Sequence, residues 1–289
     1  MLRLGIDDMW VIRSGLTDEY LLIFLAVSMF VLGACIGSFL NVCIWRMPKG
    51  ESVSNVPSHC TKCGYELRWF DNIPIWSFLS LRCACRSCRQ PISWQYITVE
   101  TLTGLLFAGL FLKVALMNQF PAYLASYCVM AALIVTTIWI DFKHRLIPDA
   151  TTYPAIVFGL IIAVVLPKTW GTSNILLSLF YAVLSLAIAG GFPALFAYLG
   201  EKIAGQEVLG WGDVKFMAAC GILLGLPAAF FTLFTGSVAG LVYGIVLAKT
   251  HHRKLGKTHI PLGPFLALAA AVYMFAGEAI LRFYLQHAK

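Results

Sequence analysis

The sequence predicts an all-α polytopic membrane protein of about eight transmembrane helices, carrying a small cytoplasmic zinc-binding loop domain. Three observations lead there. The 289 residues are 60% hydrophobic and 12% charged, against roughly 45–50% apolar and about 25% charged in soluble domains. Apolar runs of about 20 residues, enough to cross a ~30 Å hydrocarbon core, recur between Pro, Gly and charged residues. One polar stretch, Arg46 to Gln95, interrupts them and holds five of the nine cysteines.

The first apolar run, Tyr20 to Trp45, is too long for a signal sequence and has no small-residue cleavage site after it, so it reads as a retained helix. Further spans are expected at 97–117, 122–140, 150–167, 174–199, 214–228, 229–248 and 260–284. Between 214 and 248 only Gly225 and Pro227 punctuate the chain. Three parts follow: residues 1–45 as tail and first span, 46–96 as a cysteine-rich zinc-binding domain, and 97–289 as a transmembrane domain.

Orientation is read from basic residues in short loops. With 46–96 on the cytoplasmic side, the loops 141–149, 201–215 and 249–259 join it, and that side holds 15 of the 21 Lys and Arg. The N-terminal tail, with Asp7, Asp8, Asp18 and Glu19 against Arg3 and Arg13, fits the opposite side. The net charge of +7 is therefore mostly a topology signal, with the lipid bilayer as partner and no call for nucleic acid. Gly33-Ala-Cys-Ile-Gly37 would let another helix approach the first span closely. Cys35, Cys43, Cys128 and Cys220 lie in apolar segments and read as small hydrophobes.

Cys60-Thr-Lys-Cys63 and Cys85-Arg-Ser-Cys88 form two CxxC pairs separated by 21 residues. Four thiolates so spaced suit a closed tetrahedral structural Zn²⁺, and a reducing cytoplasm disfavours the disulfide alternative. A polar loop of this size has little apolar core, so the metal would supply folding energy. Cys83, two residues before Cys85, leaves a second choice of ligand open.

Ionisable groups in or beside spans are functional candidates by default. Asp141 ends the run Ile138-Trp-Ile140, and Asp213 stands in Gly210-Trp-Gly212-Asp213-Val-Lys215. Two carboxylates of different protonation could activate water against a peptide carbonyl and protonate it. Gly210 and Gly212 allow a sharp turn and close approach of a substrate strand. Each Asp also has a plainer role: Asp141 as a helix-end group pairing with Lys143 or Arg145, Asp213 or Asp149 as an N-cap. By default Lys215, His144 and Arg145 are interfacial anchors. Glu100 enters the second span about one turn in, where it would pair with a base or line a substrate or cofactor site.

These features come in a specific order. Gly37-Ser-Phe-Leu-Asn41-Val and Arg46-Met-Pro48 are followed by the CxxC pairs, then Asp141 to Asp149 ending Ile-Pro-Asp. Gly-Trp-Gly-Asp-Val-Lys and Pro261-Leu-Gly-Pro-Phe265 complete the series. From about residue 33 to 270 the chain thereby resembles the bifunctional type IV prepilin peptidases. The resemblance implies a GxGD-type aspartyl protease of the bacterial inner membrane with Asp141 and Asp213 catalytic. Asp149, Gly210, Gly212 and Lys215 are then supporting. It further implies prepilins and pseudopilins as substrates, cut on the cytoplasmic side after Gly, and N-methylation of the new N-terminus from S-adenosylmethionine. The cysteine-rich loop points to the two-activity branch rather than to a peptidase-only relative. No GxGxxG turn assigns the methyl-donor site.

Other classes fit less well. An ion-coupled transporter calls for mid-membrane carboxylates and an inverted repeat, neither of which is visible. A zinc metalloprotease calls for HExxH, which is missing. A purely structural assembly subunit would leave the aspartates dispensable.

Overall fold

The computed structural model describes residues 19–54, 57–117, 121–205, 209–250 and 261–287. The acidic tail and most of the basic 249–259 loop, used above for orientation, lie outside the described residues. The described chain is almost wholly helical. Eight long helices are joined by short links, except where the cysteine module intervenes: α1 (Glu19–Arg46), α3 (Trp94–Leu116), α4 (Ala122–His144), α5 (Asp149–Val165), α6 (Ile175–Ala204), α7 (Trp211–Leu224), α8 (Leu226–Thr250) and α9 (Gly263–His287). The short helix α2 (Trp76–Ser80) belongs to the module.

Five of these helices, α1, α3, α4, α6 and α8, are long and apolar enough to cross a membrane. Helix α5 and the stretch Gly263–Gly277 of α9 are apolar but shorter. Much of the large apolar surface faces outward, including Phe24, Phe180, Phe196, Phe234 and Leu241. Such a band around a helical bundle is what a hydrocarbon solvent calls for.

The GxxxG pattern acts as its spacing suggests. A β-carbon on Gly33 would stand 2.7 Å from the Thr103 carbonyl oxygen, and one on Gly37 2.8 Å from the Glu100 Cα. Helix α1 therefore lies backbone-to-backbone against α3. Small residues make the other close crossings as well. Gly159 of α5 meets Ile222, Gly190 of α6 meets Ala218, and Gly236 of α8 meets Leu266.

Helix α7 differs from its expected form. Read as a span over 214–228, it is a 14-residue helix that stops at Leu224, because Gly225 turns the chain at φ +86°. Every residue from Phe216 to Leu223 is buried, and α4, α5, α6, α8 and α9 all pack on it. A helix apolar all round belongs inside a bundle. At 1.5 Å per residue α7 rises roughly 21 Å, less than a bilayer core. Helix α4, expected to end at 140, continues to His144, so Asp141 lies inside its last turn.

Candidate functional site

Asp141 is 6% exposed although it sits one turn from the end of α4. Arg145 stops that helix in a left-handed conformation, its N–H donating to the Asp141 carbonyl oxygen at 2.9 Å. The Asp141 Oδ2 is buried and has no hydrogen-bond partner. Gly263, the first residue of α9, presses on this carboxylate: a β-carbon there would lie 2.7 Å from Oδ2 and 3.2 Å from the Ile147 Cδ1.

Ile147 connects this corner to the second aspartate. It is buried, and a β-carbon on Gly212 would stand 3.0 Å from the Ile147 Cβ. Ile147 thus wedges between the start of α7 and the start of α9, and brings Asp141 and the Gly-Trp-Gly-Asp segment to one end of the bundle. Asp213 is the third residue of α7, half-buried, with Gly210 as the N-cap. A β-carbon on Gly210 would stand 3.3 Å from the Asp213 Oδ2, so the glycine leaves that carboxylate room. Neither Asp213 nor Asp149 takes the N-cap position allowed above. Pro148 caps α5, and Asp149 is its first residue.

Asp149 instead pairs with Lys215, whose Nζ donates to Oδ1 at 2.6 Å. The Lys215 Nζ also lies 5.3 Å from the Tyr153 ring centroid. In place of an interfacial anchor, Lys215 is a tie between α7 and α5. Gly263 lies within the Pro261 to Phe265 motif, and Ile147 within Ile-Pro-Asp, but the contact of Gly263 with Asp141 spans 122 positions and leaves no local pattern in the sequence.

The cysteine module is built from two matching hairpins. In the first, the Cys60 N–H donates to the Tyr65 carbonyl and the Gly64 N–H to the Cys60 carbonyl. In the second, the Cys85 N–H donates to Gln90 and the Arg89 N–H to Cys85. Gly64 and Arg89 occupy equivalent positions, at φ +73° and +59°. The Sγ atoms of Cys60, Cys63, Cys85 and Cys88 all lie within 4.8 Å of one another, with Cys60 to Cys88 at 3.9 Å and Cys63 to Cys85 at 4.0 Å. Tetrahedral sulfurs ~2.3 Å from one ion would be about 3.8 Å apart, so the four residues fit a metal. Cys83 is outside the group; its backbone closes the module through Phe78 and Ile92. Backbone N–H groups of Cys88 and Ser87 pull the Cys85 thiol down to about 7. At Cys88 the Gln90 N–H acts downward, but burial and the neighbouring thiols outweigh it and push that thiol up to about 11.

Asp71 braces the module. Its side chain is 1% exposed and Oδ1 accepts from the Arg86 Nη2 at 2.7 Å and Nε at 2.8 Å. The buried Arg46 guanidinium, at the end of α1, donates to the Ser52 and Pro57 carbonyls at 3.2 Å each and holds the entry to the module. Of the cysteines read as small hydrophobes, Cys43 and Cys220 are buried, Cys128 is half-buried and Cys35 is exposed.

Two family patterns match consecutive parts of the chain, the bacterial peptidase A24 N-terminal domain over residues 31–114 and the type IV leader peptidase family over residues 128–245. A prepilin leader peptidase/N-methyltransferase of Burkholderia pseudomallei (strain 1026b) is 34% identical over 273 residues, covering 86% of this chain and 84% of that relative. The chain belongs to the type IV leader peptidase family. Proteins of the same name from Stutzerimonas stutzeri (31% over 294 residues, 90% of this chain and 93% of the relative) and Myxococcus xanthus strain DK1622 (36% over 222 residues, 77% and 63%) are also similar. The chain spans less than two thirds of the M. xanthus relative's length. No solved structure matches. In this chain the two matched regions meet where α3 packs on α4.

Proposed function

We propose that this chain cleaves the leader peptides of type IV prepilins and pseudopilins after Gly, at the cytoplasmic face of a bacterial inner membrane, and N-methylates the new N-terminus from S-adenosylmethionine. The observation that carries the cleavage reading is the Asp141 Oδ2, buried without a hydrogen-bond partner at the same end of the bundle as Asp213. A buried, unsatisfied carboxylate oxygen is costly and calls for a function. The names of the relatives and the family match support the same activity.

The helix ends suggest a division of roles. Asp213 stands in the first turn of α7, whose partial positive charge favours an anion; Asp141 stands in the last turn of α4, whose partial negative charge does not. Asp213 then takes the proton from the attacking water, and Asp141 gives its own to the oxygen of the scissile carbonyl. Gly210, Gly212 and Gly263 keep side chains out of the substrate's path, while Asp149 and Lys215 hold α7 in register. A prepilin helix lying in lipid, with its charged leader in the cytoplasm, would bring the bond to this depth, so positioning supplies much of the rate.

The eight long helices are read as spans, with α7 crossing only in the company of its neighbours, and the three parts at 1–45, 46–96 and 97–289 follow. Zn²⁺ held by Cys60, Cys63, Cys85 and Cys88 would be structural, since four thiolates leave no position for water. S-adenosylmethionine would supply an electrophilic methyl group.

The test is to express Asp141→Asn and Asp213→Asn separately and follow prepilin processing by mobility shift. Each should lower cleavage by about 10²–10⁴-fold, the range of a positioned acid or base. Retained cleavage in either would sink the two-aspartate mechanism. Mass analysis of the mature pilin should show one added CH₂; cleavage without it would leave a peptidase-only enzyme.

A further inference from the structure

Between α1, the start of α3 and the cysteine module lies a cavity of about 740 Å³ that the peptidase reading does not use. Its volume falls within the ~300–1,000 Å³ of small-molecule sites. Two buried polar residues line it. Asn41 is 2% exposed; its Nδ2 donates to the Tyr96 carbonyl oxygen at 3.1 Å, while its Oδ1 is buried with no partner. Glu100 is 7% exposed, and its Oε2 accepts from the Ile75 N–H at 2.7 Å. Among the described residues no Lys or Arg pairs with Glu100; the Ser38 side chain also lies beside it. Ile75 makes its contact at φ +64°, a conformation strained for a β-branched residue. Strain of this kind collects at functional sites.

We infer that this cavity is the methyl-donor site, with the Glu100 carboxylate facing the sulfonium and Asn41 Oδ1 accepting from a donor group of the ligand. This rests on the two-activity reading above. The ligand chemistry matches the walls: a cationic sulfur for the unpaired Glu100 carboxylate, amino groups for the orphan Asn41 acceptor, the basic Lys62 for the ligand's own carboxylate, and Phe78 and Tyr96 for adenine, the Trp45 ring being covered by the Lys49 Nζ at 3.6 Å. Bound there, the donor supplies a methyl carbon on sulfur. The new amine nitrogen bonds to it, the C–S bond breaks with its electron pair kept on sulfur, and the amine releases a proton.

The position suits a reaction that follows cleavage. Leu40, Ile44, Val99 and Ile140 form one apolar cluster. Val99 and Ile140 immediately precede Glu100 and Asp141, so one layer of side chains separates the two carboxylates' helices. The Trp45 ring, on the cavity wall, lies 5.9 Å from the Lys143 Nζ, two residues beyond Asp141. A fresh N-terminus formed at Asp141 would move along Trp45 to reach the donor without leaving this end of the bundle.

The experiment is equilibrium binding of S-adenosylmethionine and of neutral S-adenosylhomocysteine to the purified full chain in lipid nanodiscs, without pilin. Glu100→Gln should lower the preference for the cationic ligand over the neutral one by about tenfold, or ~1.4 kcal/mol. Asn41→Leu should weaken both ligands together, and Ser77→Trp, which fills the cavity, should abolish binding. Helix content and thermal melting report folding; if Glu100→Gln fails to fold, Ser77→Trp carries the test. Binding by Ser77→Trp at wild-type strength, or an unchanged ligand ratio in folded Glu100→Gln, overturns the assignment. A folded wild type that neither binds the donor nor methylates pilin would instead overturn the two-activity reading.

Discussion

Gly263 lies so close to Asp141 that a β-carbon on it would stand 2.7 Å from the carboxylate Oδ2 and 3.0 Å from Cγ. The first is a distance real β-carbons essentially never show, so the carboxylate or the start of α9 must move. Gly263→Ala should lower cleavage by about 10²-fold, as expected when a catalytic group shifts by ~1 Å. Prepilin processing in membranes, with thermal melting as control, checks this. Unchanged cleavage would mean that the Asp141 side chain is free to swing.

Asp149 and Lys215 should behave differently from the two proposed catalytic aspartates. Their 2.6 Å ion pair is 53% and 27% exposed at the side chains, so its coupling should be modest, ~0.2–1 kcal/mol in a double-mutant cycle of Asp149→Ala and Lys215→Ala. Cleavage by either variant should fall a few-fold, through loosening of α7. A loss as deep as that of Asp141→Asn would make Asp149 a chemical participant.

The cysteine hairpins predict the behaviour of the metal. Zinc analysis should give about one ion per chain, lost in Cys60→Ser with Cys63→Ser and kept in Cys83→Ser, since Cys83 stands outside the sulfur cluster. The ligands bind as thiolates, so uptake by metal-free protein should weaken as pH falls through about 7, where the Cys85 thiol regains its proton. Uptake indifferent to pH from 8 to 6 would speak against thiolate coordination.

Arg89 occupies in the second hairpin the place Gly64 has in the first, at φ +59°. The left-handed conformation costs a side-chain-bearing residue roughly 1–2 kcal/mol. Arg89→Gly should therefore stabilise the module by about 1 kcal/mol, after loss of unfolded-state rigidity is subtracted. Protease protection of the module, compared between variant and wild type, reads this directly. Weaker protection would show that the arginine side chain holds the hairpin.

Parts of this arrangement were legible in the sequence because their signals are local. Apolar runs marked the long helices, GxxxG called for a close neighbour of α1 without saying which helix, and CxxC spacing gave the two cysteine pairs while leaving Cys83 as a second choice. Hydropathy failed at α7 because it records that Met217, Cys220 and Ile222 avoid water, without telling whether lipid or protein surrounds them. Its end differs for the same reason: the helix stops at Leu224, four residues before the expected 228. Gly263 against Asp141, Ile147 between two helix starts, and Ile75 on Glu100 are contacts between distant segments. No spacing rule encodes them.

Helix α7 also bears on how lipid affects the enzyme. Its five neighbours wrap it, so the place of Asp213 is fixed by protein packing, whereas α6 and α8 turn Phe196, Phe234 and Leu241 outward, where acyl chains would meet them. When bilayer thickness changes, those outer helices tilt or the lipid deforms around them. The carboxylate at the head of α7 should then keep its place relative to Asp141.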